Sequence, residues 1–323
     1  MFFGIKTRNM QTVEEAVKGF LHHCKYEKQL SDKTLKAYGI DLNQFSEIVQ
    51  TNKRFYMEEV SKLQVKIFLQ KLGERHKVKT IKRKIASTKA LFNFYEYEND
   101  SFINPFRKIR IKMKEPFKIP SVLTVAEVST ILNQMYESKK QLLNSSKYSY
   151  KVWVRDIAIL ELLFATGLRV SELSHLLNDD VDLVQGQIKV TGKGNKERIL
   201  HFGIKETAEI LLEYKTLFRD GADGIKYFFF NRQKKRLTEA SIRTIVKKHS
   251  SIIDQKVTPH TYRHTFATVL LDEGVDIKHI QHLLGHSSIL TTQIYTHVSS
   301  KMQKQIIIEK HPRNYFSFRS TEN

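Results

Sequence analysis

The stretch PHTYRHTFAT, residues 259–268, brings together side chains that can do chemistry. On a helix, His260, Arg263 and His264 would share one face, because residues three and four apart are neighbours there. Two histidines four apart could hold a metal, whereas a histidine and an arginine three apart could hold a phosphate. Tyr262, between them, could act as a nucleophile. The stretch by itself leaves all three possibilities open.

A metal site is the weaker possibility. His260 and His264 lack the glutamate of the HExxH zinc motif, and no carboxylate or cysteine stands at a ligand spacing from them. His279 and His282 lie among helix-forming residues, which favours a position on the surface. Cys24 is the only cysteine, which excludes a disulfide framework and a multi-cysteine metal site. We therefore expect no metal and no other cofactor.

Arg169 and Lys193 are the first candidates for phosphate chemistry. Arg169 lies in ATGLRVSEL, where Gly167 is expected to end one helix and the next begins beside the arginine, so that amide groups and the guanidinium could face an anion. The alternative is a surface arginine paired with Glu172. Lys193 lies at TGKGNKE, the glycine-flanked tip of an expected hairpin. Its alternative is a plain exposed turn, since the spacing of a phosphate-binding P-loop is absent.

His286 in LLGHSS and Tyr295 in QIYTHV complete this set. Arg169 and Arg263 could each give two N–H donors to the oxygens of a phosphodiester. Histidines could donate to the same oxygens as negative charge gathers on them. Lys193 could protonate a departing sugar oxygen, and a tyrosine could attack phosphorus. The residue types therefore suffice for metal-free phosphoryl transfer, provided that they meet in space.

The formal net charge of +20 over 323 residues indicates a polyanionic partner. Nucleic acid is the leading candidate, and an anionic membrane surface or a merely basic protein are the alternatives. The apolar segment 157–168 is shorter than a membrane span and contains Glu161, so we expect a buried helix there and no membrane partner. The first ten residues are too short for a secretory signal, and the single Cys24 favours the reducing cytoplasm.

About four helices are expected in the first 106 residues, and the fourth, KTIKRKIASTKALFNFYEYE, is the most informative. Its apolar stripe consists of Ile81, Ile85, Thr88, Phe92 and Tyr95. Its basic residues lie elsewhere on the cylinder: Lys79, Lys82, Arg83 and Lys89. We predict that this basic surface contacts DNA. The alternative is an ordinary solvated helix face.

The segment PFRKIRIKMKEPFKIP, bounded by Pro105 and Pro120, has six basic residues and one acid. It is expected to contain a basic linker, residues 107–120. The remainder of the chain mixes helices with a few strands, since VDLVQGQIKVTGKGNKERILHF alternates apolar and polar residues around a glycine-rich break. KYFFFN, residues 226–231, is a further candidate strand. The fold is therefore expected to be mainly α with a small antiparallel sheet, in two domains.

These residues and motifs resemble those of the tyrosine recombinases, or phage integrases, and specifically their Xer-like branch. The matching stretches follow the order of the family: LLFATGLRVSELSHL, VTGKGNKERILHFG, TPHTYRHTFATVLLDEGVDI, IQHLLGHSSILTTQIYTHV and EKHPRN. KQLSDKTLKAYGIDLNQF resembles the opening of the family's helical, SAM-like core-binding domain. The resemblance implies a core-binding domain at 1–106, a catalytic domain at 121–323, and a C-shaped clamp around duplex DNA.

The resemblance also implies residue roles. Arg169 and Arg263 would clamp the scissile phosphate, and His260 and His286 would hydrogen-bond it. His260 is in addition a candidate base for the proton of the attacking tyrosine. Tyr262 and His264 would be packing and supporting neighbours.

Three further roles follow from the same resemblance. Lys193 would be the general acid, Tyr295 the nucleophile that forms a 3′-phosphotyrosyl link, and Glu172 a supporting residue. Neither ATP nor a divalent metal would be required. Four protomers would act on paired inverted-repeat sites through a Holliday junction, with an isoleucine-rich tail after Tyr295 that docks on a neighbouring protomer or on its own domain.

Several matters stay open in the sequence. A type IB-like topoisomerase and a non-catalytic DNA-binding protein are the alternative functions. The biological role could be resolution of chromosome or plasmid dimers, or integration and excision of a mobile element. A partner recombinase or an accessory protein could take part.

Overall fold

The computed structural model describes residues 10–50, 54–114, 120–142, 147–192, 197–202, 205–219 and 224–285. The chain divides into two compact units, Met1–Phe117 and Lys118–Asn323. The division falls inside the segment predicted as linker. None of the helices described in these ranges is long and apolar enough to cross a membrane.

The described part of the first unit is helical. Its α-helices are α1 (Val13–Tyr26), α2 (Asp32–Val49), α3 (Lys62–Arg75) and α4 (Val78–Glu98). The side-chain oxygens of Thr12, Ser31 and Ser61 accept backbone amides at the starts of α1, α2 and α3. Each of these helices thus begins where a hydroxyl satisfies an amide that lacks a partner within the helix. The predicted cap at Ser31 is confirmed.

The apolar stripe predicted on α4 is confirmed, because all five of its side chains are buried. Phe92 of this stripe packs edge-on against Phe45 of α2, with ring centres 5.5 Å apart. The predicted linker contributes to the same core, since Ile109, Ile111 and Met113 pack against it. The helical unit therefore buries one face of α4 and leaves other faces of that helix available for its charged residues.

The described part of the second unit combines seven α-helices with one small sheet. The helices are α5 (Val125–Gln141), α6 (Lys147–Thr166), α7 (Val170–His175), α8 (Lys205–Arg219), α9 (Glu239–His249), α10 (Pro259–Asp272) and α11 (Ile277–Leu284). The strands are β1 (Val181–Asp182), β2 (Gln187–Thr191) and β3 (Glu197–His201). The predicted mainly α fold with a small antiparallel sheet is confirmed.

Helix α6 is the buried helix predicted around residues 157–168. Glu161 lies in this apolar setting because its carboxylate accepts hydrogen bonds from Tyr136 Oη at 2.9 Å and Thr207 Oγ1 at 3.2 Å. The helix ends at Thr166, and the next residue, Gly167, has a φ of +62°, which confirms the predicted helix stop. A Cβ atom at this position would lie 2.5 Å from a ring carbon of Phe266. Only glycine fits here, so the chain can turn at once into α7.

The sheet has the order β1–β2–β3 with antiparallel pairing throughout. Lys189 of β2 pairs with Ile199 of β3, which confirms the two strands of the predicted hairpin. Residues 193–196 at its tip lie outside the described residues.

The prediction of a strand at 226–231 is wrong. Two isolated bridges, Leu177 to Tyr227 and Phe230 to Arg236, replace it. Phe228, Phe229 and Phe230 are all buried, so the segment lacks the alternation of a two-faced strand. Its backbone also changes partners: the Phe228 amide donates to Leu176, and the Phe229 carbonyl accepts from Leu237.

Candidate active site

Arg169 lies at the start of α7, where the buried carboxylate of Glu172 holds it. The Arg169 amide donates to Glu172 Oε2 at 2.9 Å, and its Nη1 donates to Glu172 Oε1 at 2.8 Å. The ion pair between Arg169 and Glu172, which was the alternative to phosphate binding, is therefore present. It fixes the arginine in one orientation while leaving 32% of its side chain exposed. A guanidinium carries five N–H donors, so this pair does not exhaust what Arg169 can bind.

Arg198 on β3 is a member of the site that the sequence analysis missed. Its Nη1 donates to Glu172 Oε1 at 3.0 Å and its Nη2 to Glu172 Oε2 at 2.9 Å, a two-pronged contact. Its Nε donates to the carbonyl of Leu283 at 2.8 Å. The alternation of β3 could have revealed it, because Arg198 falls on the same face as the buried Leu200. A charged residue on the inner face of a strand requires a partner.

Arg263 on α10 is 3% exposed, and its terminal nitrogens reach backbone carbonyls. Nη1 donates to Gly167 at 2.7 Å, and Nη2 donates to Leu284 at 2.6 Å. Arg169 Nη2 donates in the same way to the carbonyl of Gly285 at 2.8 Å. Both arginines predicted to bind phosphate are thus anchored at the C-terminal end of α11.

Three successive carbonyls at this end, those of residues 283–285, each accept a hydrogen bond from a different arginine. We refer to them as the carbonyl triplet. The donors to residues 283, 284 and 285 are, in that order, Arg198, Arg263 and Arg169. The last carbonyls of a helix lack partners within it and carry partial negative charge. The guanidinium groups donate hydrogen bonds to these carbonyls and balance their partial negative charge. Three positive charges therefore lie close together at the carbonyl triplet.

Two histidines on α10 lie beside the arginines. Partial burial lowers the pKa of His260, and the charges of Arg263, Arg243 and Arg169 lower it further. Burial lowers the pKa of His264 to about 4, with smaller contributions from His260 and Arg263. Both rings are consequently neutral at pH 7, and a neutral imidazole can accept a proton.

Tyr262 lies in the core and not at the site. Its side chain is fully buried, and its hydroxyl is 3.4 Å from Ser250 Oγ. Burial raises the pKa of Tyr262 to about 12. This environment fits the packing role and opposes nucleophilic attack, which needs an accessible phenolate.

Three of the predicted site residues, Lys193, His286 and Tyr295, lie outside the described residues, as does the isoleucine-rich tail. The structure brings together Arg169, Glu172 and Arg263 at the carbonyl triplet and places His260 within reach of the arginine charges. His279 and His282 are exposed, as predicted.

The four basic residues predicted to contact DNA on α4 fall into different environments. Lys79 is exposed. Lys89 is half-buried, with its Nζ 5.9 Å from the ring centre of Phe106. Arg83 forms an ion pair with the fully buried Asp41 of α2 and remains 48% exposed. Lys82 is exposed as well. Helix α4 therefore exposes cations to solvent, although the charge of Arg83 is partly neutralised by the buried Asp41.

Comparison with known proteins identifies the family. Residues 123–302 match the phage integrase family, and residues 17–99 match the phage integrase N-terminal SAM-like domain. A tyrosine recombinase of Agathobacter rectalis is 41% identical over 311 residues, which cover 96% of this chain and 100% of that protein. The chain belongs to the phage integrase family of tyrosine recombinases. It is an enzyme of site-specific DNA recombination.

Other relatives support the Xer-like branch. The tyrosine recombinase XerC of Syntrophus aciditrophicus is 35% identical, covering 93% of this chain and 98% of that protein. XerD of Listeria innocua is also 35% identical, covering 93% and 100%. The fold is shared with the XerH recombinase bound to palindromic difH substrate in a post-cleavage complex. That match has 23% identity, a TM-score of 0.70 and coverage of 91% of this chain and 84% of that one.

Proposed function

We propose that Arg169 and Arg263, both anchored at the carbonyl triplet, form the phosphate-binding part of the recombinase active site. The observation that carries this proposal is the anchoring of both Arg169 and Arg263 at Leu284 and Gly285. His286 is the next residue in the sequence. The same short segment would therefore set the two arginines and the second histidine relative to one phosphate. Fixed donors of this kind stabilise charge as it develops in a transition state.

The chemistry would be a transfer of one phosphodiester bond to the protein. The phenolic oxygen of Tyr295 attacks phosphorus, and the bond from phosphorus to the 5′ oxygen breaks. Lys193 donates the proton that the leaving 5′ oxygen requires, and His260, neutral at pH 7, accepts the proton of the phenol. The strand is left joined to Tyr295 through its 3′ phosphate. Attack by a 5′ hydroxyl reverses the step and restores a phosphodiester without ATP.

We propose that both units bind duplex DNA, the first through residues 1–106 and the second through residues 121–323, joined by the basic linker 107–120. The net charge of +12 in the first 120 residues supports this, against +8 in the other 203. The expected substrate is an inverted-repeat site bound by a homo-tetramer. The shared fold of a lambda integrase tetramer on a Holliday junction, with a TM-score of 0.65, supports the same assembly. The single free thiol of Cys24 is consistent with a cytoplasmic setting.

A covalent trapping assay tests the function. Nicked duplexes, chosen from a random pool by their binding to the protein, release a short fragment on cleavage and so prevent religation. We expect a covalent adduct whose mapped attachment is Tyr295 and which the Tyr295→Phe variant does not form. A wild-type chain that binds DNA without forming any adduct would be a non-catalytic DNA-binding protein. Adducts formed on every sequence, together with relaxation of supercoils, would indicate a topoisomerase.

A further inference from the structure

Arg198 is the one arginine at the carbonyl triplet to which no function has been given above. It connects three elements. From its position on β3, its Nη1 and Nη2 donate to Glu172 of α7, and its Nε donates to the carbonyl of Leu283 at the end of α11. With 8% of its side chain exposed, it is covered by the groups that it holds. This burial separates it from Arg169, which is four times as exposed.

Arg198 stabilises the ionised form of the Glu172 carboxyl more than any other group does. Burial alone raises the pKa of the Glu172 carboxyl, but the hydrogen bonds and charge of Arg198, followed by those of Arg169, outweigh burial and lower it. An ionised carboxylate can accept from both arginines at once, whereas a protonated one loses part of that capacity. The carboxylate that orients Arg169 is therefore one whose ionised form Arg198 stabilises more strongly than Arg169 does.

Close packing ties Arg198 to the turn that follows α11. Gly285 has a φ of +61°, and a Cβ atom built on it would lie 3.0 Å from Nη1 and 3.1 Å from Cζ of Arg198. The guanidinium thus lies directly against the backbone of the residue whose carbonyl holds Arg169. A substitution of Arg198 would therefore alter the contacts of Glu172 and the packing against Gly285 together.

We propose that Arg198 is a positioning residue of the recombination reaction, which sets Arg169 through Glu172 and holds the hairpin strand β3 against the end of α11. It acts without touching the phosphate itself. Lys193 lies five residues earlier in the sequence, between the residues of β2 and those of β3. Arg198 thereby links the strand that follows the general acid to the arginines that bind the phosphate. This proposal rests on the function proposed above.

The main test replaces Arg198 by lysine, which keeps the charge but loses the planar fork. Single-turnover cleavage of the nicked duplex should slow about 10- to 100-fold, because displacement of a catalytic group by about 1 Å costs on that order. The Kd for the same DNA should change less than about twofold, since Arg198 is covered. A lysine variant that cleaves at the wild-type rate would overturn the proposal.

A matched control makes the same substitution in a comparable buried arginine–carboxylate pair elsewhere in the same unit. Arg155 contacts Asp156 through Nε and Nη2 and is 11% exposed. Arg155→Lys should lower the thermal midpoint of unfolding about as much as Arg198→Lys does, and it should leave the single-turnover cleavage rate unchanged. If this control slows cleavage as much as Arg198→Lys does, the role of Arg198 is only structural.

A double-mutant cycle asks whether Arg198 acts through Glu172. We expect Arg198→Lys to slow cleavage strongly in the wild-type background and less than about threefold in a Glu172→Gln background, because residues in one network are not additive. Gly285→Ala, which pushes on the guanidinium without changing it, should slow cleavage in the same direction. Additive effects in the cycle would refute the link through Glu172.

The same assay separates this proposal from the proposed function. If the wild-type chain forms no adduct at Tyr295, the proposed function fails and the cycle cannot be run. If the wild-type chain forms the adduct and every Arg198 variant matches its rate, only the role of Arg198 fails.

Discussion

In the described part of each unit, a buried carboxylate contacts two cationic side chains that differ in exposure. In the first unit Asp41 accepts from Lys84 at 2.9 Å and from Arg83, and Ser87 Oγ adds a bond at 3.2 Å. In the second unit Glu172 accepts from Arg198 and Arg169. In both clusters one cation is almost covered and the other reaches solvent. The two clusters therefore share one arrangement: a buried carboxylate, a covered cation and a partly exposed cation.

The clusters differ in what their cations hold besides the carboxylate. All the groups that Asp41 binds lie on α4, so the first cluster ties two helices together. The arginines at Glu172 come from α7 and β3, and their remaining nitrogens hold the end of α11. The second cluster therefore fixes a point where three elements meet beside a histidine. Buried charge ties two helices together in one unit, and in the other it fixes the orientation of an arginine that we propose to bind the phosphate.

The largest expected effect is on the stability of the first unit. Asp41→Ala would leave Lys84, 4% exposed, without its carboxylate, which costs about 3–5 kcal/mol for a buried pair. Urea unfolding followed by circular dichroism should shift, while the fluorescence of Trp153, which lies in the second unit, should keep its midpoint. The double variant Asp41→Leu/Lys84→Met should recover most of the loss. An unchanged circular dichroism midpoint would contradict a tie between α2 and α4.

The corresponding change in the second unit should affect rate more than stability. Arg169→Lys keeps a cation but loses the fork that joins Glu172 to Gly285, and we expect cleavage to slow about 100- to 1000-fold. DNA affinity should stay within about twofold, because most affinity comes from distributed phosphate contacts. Filter binding and single-turnover trapping measure the two quantities. If Arg169→Lys weakened DNA binding and left the cleavage rate unchanged, the proposed orienting role of the Glu172 cluster would be wrong.

A smaller effect should appear in the pH dependence of stability. The pKa of His264 is about 4 in the folded chain and about 6.5 when unfolded. The unfolded chain therefore binds more protons between these values, and stability should fall as the pH drops from about 6.5 to 4. His264→Gln should flatten this part of the curve. Parallel curves of unfolding free energy against pH for both proteins would show that folding does not lower the pKa of His264.

The smallest effect should distinguish two cations on α4. Lys79→Gln should reduce the slope of log Kd against log salt by about 0.9, as expected for one lost phosphate contact. Arg83→Gln should reduce it less, because Asp41 already compensates that charge, and should lower stability instead. Equal slopes for both variants would mean that Arg83 contacts DNA as fully as an unpaired cation.

Much of the molecule follows from local pattern. The buried stripe of α4, the cap at Ser31, the helix stop at Gly167 and the two strands around the hairpin tip are all confirmed. Each depends on neighbours within a few residues, where periodicity and steric rules act directly. The prediction of a strand at 226–231 was wrong because three buried phenylalanines in succession have no period, and the backbone of this segment bonds to two separate segments, at Leu176 and at Leu237.

The sequence by itself determined the family, through residue types in a fixed order, and the elements, through local periodicity and capping. Only the tertiary structure decided that Arg198 contacts Glu172, that Arg83 pairs with the buried Asp41, and that three arginines donate to carbonyls at the end of α11. The bond from Arg169 to Gly285 joins residues 116 apart, and that from Arg198 to Leu283 joins residues 85 apart. A buried guanidinium must find acceptors wherever the fold places them, and no local pattern specifies which carbonyls those will be.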